Sequence, residues 1–306
     1  MSGRAIAAAA LATCVAASAC RQADAAKAAR ADSTTVAQRE ARLKRSLSVR
    51  DSGSVDSTAA TRKAVARWIL PRDLDEISGI ALTPDGRLLA QGDEDGQISE
   101  IDYRRGVIVK QFLVGKPTIK GDFEGIAVAK GNVYLLESNG TIYEFREGAN
   151  GERVDYTAHD TRLGKECEFE GVAFDSTIDA LLLACKRVGT KNLKNEMVIY
   201  RWKLSGDGDR VSTLTVSLDK ILPLIGEKHL HPSDITVDPR TGDYVLVASI
   251  EQAIVEITPS GDVVFARKLP PEHAQAESVA ITSDSILIIG DESKNRPAVI
   301  TLYPWP

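Results

Sequence analysis

The sequence has few of the residues and motifs that identify a common enzyme class directly. It contains four histidines and four cysteines among 306 residues. It has no Gly-Xaa-Ser-Xaa-Gly nucleophile elbow, no glycine-rich phosphate-binding loop and no His-Glu-Xaa-Xaa-His motif. We expect no histidine-rich zinc centre either, because the four histidines form no recognisable set of ligands; they are His159, His229, His231 and His273.

Basic residues are also outnumbered by acidic ones in the main part of the chain. Residues 21–63 contain ten of the 38 lysines and arginines but only five of the 43 acidic residues, so the remainder is strongly acidic. Domains that bind nucleic acids usually carry a basic patch, and we therefore expect no nucleic-acid partner. An acidic surface is compatible with cationic ligands, or simply with solubility.

A single long apolar run is present, and it lies at the N-terminus. Arg4 precedes an alanine-rich stretch over residues 5–19, which is too short to span a bilayer comfortably. The stretch ends in Ala17-Ser18-Ala19-Cys20, which resembles a bacterial lipoprotein signal, although Ala17 stands where such signals usually have leucine. We predict a signal peptide over residues 1–19, a lipidated Cys20 and a membrane-anchored, periplasm-facing location in the bacterial cell envelope. Plain cleavage after Ala19 and an uncleaved anchor are the alternatives.

Residues 20–63 are predicted to form a disordered tether. They are rich in Ala, Ser, Arg and Asp and contain no aromatic residue. Such a segment buries too little apolar surface to offset the entropy cost of ordering it. We expect the folded domain to cover residues 64–306.

The folded part repeats a motif in which an acidic residue precedes a small residue and an alternating apolar run. The clearest copies are Glu124-Gly125-Ile126-Ala127 and Glu170-Gly171-Val172-Ala173, and looser copies begin at Glu76, Asp234 and Glu277. Intervals of 43 to 64 residues with several short strands in each are typical of a β-propeller with one blade per repeat. We therefore predict an all-β, five-bladed β-propeller.

The last predicted blade is one strand short. An alternating apolar run over residues 65–70, which includes Trp68, precedes the first blade and has no other assigned place. An open ring would expose sheet edges. We predict that this N-terminal strand completes the last blade and closes the ring.

Two cysteines, Cys167 and Cys185, fall within the predicted propeller. Cys167 lies just before the first strand of the third blade and Cys185 ends its second strand, so the two residues face each other across an antiparallel hairpin. An exported protein reaches a compartment in which disulfides persist. We predict a Cys167–Cys185 disulfide, with two free thiols as the alternative.

The repeated acids are the candidate site. The loops that enter the inner strands of a propeller lie at one mouth of its channel, so these acids should crowd together there, with Lys186 and Lys294 offsetting part of their charge; they are Glu76, Glu124, Glu170, Asp234 and Glu277. Crowded carboxylates either take up protons or bind a cation. Calcium prefers such oxygen ligands, so we predict a Ca²⁺ site on at least two of the acids. The alternative is that they only orient loops by accepting backbone N–H bonds.

The five motifs, the lipoprotein-like start and the Gly-Asp-Glu turns resemble the SdiA-regulated family of bacterial propellers, distantly similar to NHL-repeat propellers. The resemblance covers residues 68–303. It implies a five-bladed propeller with a bound calcium ion and no established enzymatic activity. The chain departs from the pattern in blade one, where Ser78 replaces glutamate, and in blade four, where Ser233 precedes Asp234.

Functions of different classes fit these features. The first is a monomeric, non-enzymatic sensor or scaffold that binds calcium and an unknown protein or small-molecule ligand at the acidic mouth. The second is a hydrolase of lactones, esters or phosphoesters that uses a carboxylate-held calcium, with Glu124 or Glu170 as general base. A scaffold without metal is the third. The almost purely acidic ring favours the first, because lactonase-type propellers typically add asparagines to the metal ligands.

Overall fold

The computed structural model describes residues 63–205, 210–294 and 296–306. They fall within one unit, residues 53–306. The predicted signal peptide, Cys20 and the tether up to residue 62 lie outside the described residues. In the described ranges, no helix combines the length and the apolar character that a membrane crossing requires.

The described residues form five sheets that are the blades of a β-propeller. The strands are β1 (Ala66–Ile69), β2 (Ile77–Leu82), β3 (Leu88–Gly92), β4 (Gln97–Asp102), β5 (Val107–Val114), β6 (Phe123–Ala129), β7 (Asn132–Glu137), β8 (Thr141–Phe145), β9 (Arg153–Val154), β10 (Tyr156–Asp160), β11 (Cys167–Asp175), β12 (Ala180–Val188), β13 (Glu196–Lys203), β14 (Val211–Ser217), β15 (Asp234–Val237), β16 (Tyr244–Ala248), β17 (Ala253–Ile257), β18 (Val263–Lys268), β19 (Ala276–Ile281), β20 (Ile286–Asp291) and β21 (Val299–Pro304). The helical segments are short; they are the 3₁₀ turns Arg72–Leu74, Lys191–Leu193 and Leu218–Lys220 and the helix α1 (Leu222–Ile225).

The ring is closed by the N-terminal strand. Blades one to four begin at β2, β6, β11 and β15, and blade five contains β19, β20 and β21 with β1 as its outer strand. Strand β1 pairs antiparallel with β21, so that Trp68 lies opposite Ile300. The Trp68 indole donates a hydrogen bond to the Tyr103 carbonyl of blade one at 2.7 Å. The predicted five-bladed propeller and its closure are confirmed.

Blades one and two contain strands that the sequence pattern does not predict. Strand β10 pairs with β8 as the outer strand of blade two, and the two-residue β9 pairs parallel with β5 at the edge of blade one. The side chains of β10 are mostly exposed. An outer strand with both faces near solvent needs no alternation of apolar and polar residues, so the period that marks the inner strands is missing.

A β-bulge interrupts the inner strand in four of the five described blades. The pairing skips one residue at the channel end of each strand; these residues are Ser78, Glu124, Glu170 and Glu277. In blade four, Ser233 directly precedes β15 at the corresponding place. A bulge leaves its extra residue unpaired and re-aims the side chain. The bulges therefore present this position at one mouth of the channel.

The glycines next to the bulges let the inner strands approach closely. A Cβ atom on Gly125 would lie 2.8 Å from the Val172 nitrogen and 3.1 Å from the Gly171 Cα, which is too close for any side chain. Apolar side chains fill the space between blades further out; between blades one and two they include Phe112 and Phe123. This packing holds the inner strands, and with them the bulged residues, in fixed positions around the channel.

Candidate functional site

Three of the repeated acids converge at one channel mouth around a single lysine. The Lys186 ammonium lies 2.6 Å from the Glu170 carboxylate and also interacts electrostatically with Glu124 and Glu277. Glu170 is only 5 % exposed, and Glu124 and Glu277 are half-buried. The Ser78 hydroxyl donates a hydrogen bond to Glu124 at 3.1 Å. We call these three glutamates and Lys186 the acidic cluster.

A second irregularity in blade three positions the lysine. On β12 the pairing passes from Cys185 to Arg187 and skips Lys186, opposite the bulge that contains Glu170. Two facing bulges turn both side chains out of the sheet, towards the same mouth. Lys186 was expected from the sequence only to offset charge, and its central position follows from this register shift.

Burial raises the pKa values of the clustered acids. Burial first, and then the neighbouring Glu170 charge, raise the pKa of Glu124 to about 8. Burial raises the pKa of Glu170 to about 7, although its ion pair with Lys186 opposes the change. Burial also raises the pKa of Glu277, against hydrogen bonds from Ser249 and Ser233. One ammonium group is therefore too little positive charge to keep both Glu124 and Glu170 fully ionised at neutral pH.

Glu76 does not belong to this cluster. Its side chain is exposed and lies among other acids, and the charge of Asp93 is the largest cause of its raised pKa, followed by burial and the charges of Glu94 and Glu292. Ser78 takes the bulge position of blade one. The residue of blade one that corresponds to Glu124 is therefore Ser78, two residues after Glu76. The sequence motif already has Ser78 at this place.

Asp234 holds a structural position instead of pointing into the mouth. It stands where blades one to three have glycine and blade five has Ser278, and its side chain is buried. One carboxylate oxygen accepts a hydrogen bond from the Ile235 N–H at 2.8 Å and the other from the Val279 N–H at 2.7 Å. Asp234 therefore joins blade four to blade five, and its carboxyl group accepts backbone N–H bonds as in the predicted alternative to metal binding.

Asp291, at the end of β20, makes its contacts inside blade five. Its carboxylate lies 2.7 Å from His273 Nδ1, and His273 Nε2 lies 2.7 Å from the Tyr303 hydroxyl. His273 is fully buried. This hydrogen-bonded chain fastens the segment before β19 to the blade.

The acidic cluster offers the type of donor atom that calcium binds. Carboxylate and hydroxyl oxygens are the ligands that calcium prefers. Within the described parts of the chain, however, no group of three or more His, Cys, Asp or Glu side chains is arranged to hold a metal ion, and Lys186 already provides a cation to Glu170. A calcium ion at this mouth would compete with Lys186 for Glu170.

A disulfide lies beside the cluster. Cys167 and Cys185 are bonded, with their Cα atoms 5.7 Å apart, and both side chains are buried. Cys185 directly precedes Lys186. The covalent bond therefore fixes the end of the hairpin that carries both Glu170 and Lys186.

The opposite channel mouth has a different character. The inner strands end there in apolar, mostly half-buried side chains that line a cavity of about 700 Å³; they are Leu82, Val128, Phe174, Val237 and Ile281. Arg104 and Asp284 pair at its rim at 3.1 Å. The channel thus presents a cluster of acids and a lysine at one mouth, and apolar strand ends with a polar rim at the other.

Comparisons with known proteins support the fold alone. No protein-family profile and no curated protein matches the chain. Glutaminyl cyclase from Myxococcus xanthus is 12% identical, with a TM-score of 0.52, covering 78% of this chain and 94% of the cyclase. The PQQ-bound aldose sugar dehydrogenase from Streptomyces coelicolor is also 12% identical, with a TM-score of 0.51, covering 80% and 97%. Both are β-propeller proteins, and this chain shares that class of fold.

Proposed function

We propose that this chain is an exported, lipid-anchored propeller of the SdiA-regulated type that binds a cation, calcium in the first place, at the acidic cluster. In this proposal it acts without catalysis, as a sensor or interaction scaffold in the bacterial cell envelope. The supporting observation is that three buried or half-buried carboxylates, Glu124, Glu170 and Glu277, share one ammonium group.

The physical reason is an unbalanced charge. With every group ionised, three carboxylates and Lys186 leave the cluster with two uncompensated negative charges, in a place where burial already raises the pKa of Glu124 to about 8. A divalent cation would favour the ionised forms. Calcium uptake at pH 7 should therefore release protons from Glu124 and Glu170.

Calorimetric titration of the purified full-length protein with calcium tests the proposal. We expect saturable binding whose heat depends on the buffer, because protons are released. Glu124→Gln and Glu277→Gln should weaken binding at least tenfold, and Lys186→Met should strengthen it because the competing ammonium is gone. Glu256→Gln is the matched control: Glu256 is also buried and its pKa is raised to about 7, but its neighbouring charges are Asp243, Asp238, Arg240 and Arg267.

Two results would overturn the calcium proposal. One is the absence of binding heat and of any rise in melting temperature at millimolar calcium in both the parent and Lys186→Met. The other is equal calcium binding in the parent, Glu124→Gln and Glu277→Gln.

The membrane anchor is tested separately. Expression in a bacterial host with a fatty-acid analogue should label the parent, and Cys20→Ser should lose both the label and the membrane fraction. Cleavage after Ala19 without lipid would give a soluble, unlabelled parent. That result would remove the anchor from the proposal while leaving the acidic cluster untouched.

One observation favours hydrolysis as a second candidate function. A carboxyl group with a pKa of about 8 is suited to general acid–base catalysis near neutral pH, and Glu124 has this property. Turnover of lactones, esters or phosphoesters that requires calcium and is lost in Glu124→Gln would support it. Calcium binding without any such turnover would leave the scaffold function.

A further inference from the structure

Two imidazole rings lie together on the segment that leads into blade four. His229 and His231 follow helix α1 and precede β15, and their ring centroids are 6.1 Å apart. Leu230 between them is buried in the core that blades three and four share. Because this leucine points inward, the two histidines on either side lie towards the surface, with His229 exposed and His231 half-buried.

A buried carboxylate orients one of the rings. Glu251, which is 5 % exposed, accepts hydrogen bonds from His231 Nδ1 at 2.7 Å and from the His231 backbone N–H at 3.0 Å. A carboxylate only accepts, so a neutral His231 carries its proton on Nδ1 and presents a lone pair on Nε2. A carboxylate behind an imidazole is the usual outer partner of a metal-bound histidine, because it fixes both the tautomer and the direction of the ring.

We propose that His229 and His231 form a binding site for a divalent transition-metal ion, zinc in the first place, with Glu251 as the group that orients His231. Zinc–nitrogen bonds measure about 2.0–2.1 Å, so two imidazoles on one tetrahedral ion have ring centres roughly 5–6 Å apart. The observed spacing of 6.1 Å needs only a small movement of the exposed His229 ring. Water completes the coordination of a site with two protein ligands.

This site is chemically distinct from the acidic cluster. Imidazole nitrogen suits zinc, nickel and copper, whereas the carboxylate oxygens of Glu124 and Glu277 suit calcium. Glu251 is engaged with His231, and Glu227, two residues before His229 in the sequence, pairs with Lys268. The inference therefore stands whether or not calcium binds at the channel mouth.

The chain supplies a matched control. His159 also lies 2.8 Å from a carboxylate, that of Glu144, but its ring packs near Trp202, at 5.5 Å between centroids, instead of near a second histidine. A histidine–glutamate pair alone is thus present at both places. The paired imidazoles are the feature that separates the proposed site from His159.

The test is zinc titration of untagged full-length protein by calorimetry, with cobalt absorption as a spectroscopic readout of nitrogen ligands. We expect one strong equivalent of zinc, at least tenfold weaker binding in His229→Gln and in His231→Gln, and unchanged binding in His159→Gln. Glu251→Gln should weaken binding about tenfold to a hundredfold, the usual cost of losing an outer partner. Circular dichroism of each variant shows whether it is folded, and His229→Gln, at an exposed position, keeps the test valid if Glu251→Gln unfolds.

Three outcomes would overturn the proposal. The first is no zinc binding in the parent, and the second is zinc binding that survives His229→Gln and His231→Gln together. In the third, Glu124→Gln abolishes zinc binding while both histidine variants retain it, which would place the metal in the acidic cluster.

Discussion

The two mouths of the channel are built from the same inner strands but differ in chemistry. The acidic mouth has Glu124 in blade two, and the opposite mouth has Val128 only four residues later, about 13 Å along the strand. The first residue is set apart by a bulge and the second lies in a regular ladder. A local irregularity in pairing, repeated in four blades, therefore turns this position towards one mouth, and three of those blades carry a glutamate there.

The two ends of the channel also differ in how much their polar contacts contribute to stability. At the end of the inner strands that carries the acidic mouth, buried carboxyl groups depend on specific partners, as Asp234 does on two backbone N–H groups. At the opposite mouth, the rim pair Arg104–Asp284 is about half exposed and contributes little. Substitutions at the acidic mouth should therefore have larger effects, and their sign should depend on pH.

The largest effect is expected for Asp234→Ala. It leaves the N–H groups of Ile235 and Val279 without their acceptors in a buried place, which should lower the free energy of unfolding by roughly 2–4 kcal/mol. Denaturant unfolding measures the change. Asp234→Asn keeps one acceptor and should lose about half as much, and Asp284→Ala at the opposite rim should lose about 0.5 kcal/mol or less. Equal losses at Asp234 and Asp284 would contradict the comparison.

Removal of the disulfide should cost about 3 kcal/mol. Cys167 and Cys185 are 18 residues apart in sequence. Closing a loop of this size lowers the conformational entropy of the unfolded chain, which stabilises the folded protein by about that amount. Denaturant unfolding of the double variant Cys167→Ala, Cys185→Ala should give a free energy of unfolding below that of the oxidised parent. The reduced parent should be destabilised to a similar extent. If the reduced parent is as stable as the oxidised one, the bond contributes nothing.

Glu124→Gln should stabilise the protein at high pH only. The folded-state pKa of about 8 lies above the ordinary value of 4.5. The folded protein therefore keeps a proton that the unfolded chain releases, and the free energy of unfolding falls as pH rises from about 4.5 to 8. With a chelator present, Glu124→Gln should gain roughly 1–2 kcal/mol at pH 8.5, after allowance for solvent screening, and nothing at pH 4.

The control for this pH dependence is Glu137→Gln, since Glu137 only accepts a hydrogen bond from the Tyr143 hydroxyl. Melting curves of both variants and the parent between pH 4 and pH 8.5 give the comparison. A stabilisation by Glu124→Gln that is equal at both ends of this range would show that the raised pKa is not the cause.

The smallest effect is expected at the opposite mouth. Val128→Gln replaces a half-buried apolar side chain at the cavity wall and should cost about 1 kcal/mol or less. Its response to calcium should equal that of the parent. A loss of more than 2 kcal/mol would mean that this wall is packed as tightly as the space between blades.

Much of the fold could be predicted because repetition makes it visible. Each inner strand carries the same short apolar pattern, since each packs between two neighbouring blades. The single apolar run before blade one could be assigned to blade five, because that blade lacked a fourth strand. The outer strand β10 was not predictable in this way, because its exposed side chains carry no alternating pattern.

The candidate site was predicted less well. The repeated Glu-Gly motif pointed to Glu124 and Glu170, and the last repeat pointed to Glu277. Glu76 was misaligned because it matches the motif in residue type, whereas the bulge selects Ser78 by its position in the register. The significance of His229 and His231 was also not visible in the sequence, because the contact of His231 with Glu251 spans 20 residues and two different loops.

The sequence by itself determined the number of blades, the closing strand and the residue types at the start of each inner strand, since these depend on local pattern and on repetition. Only the tertiary structure decided which acids meet, that Lys186 stands among them and that Asp234 turns inward to join two blades. The physical reason is that these outcomes depend on register. One skipped residue in an antiparallel ladder changes the direction of a side chain, and the local sequence pattern does not show where the pairing skips a residue.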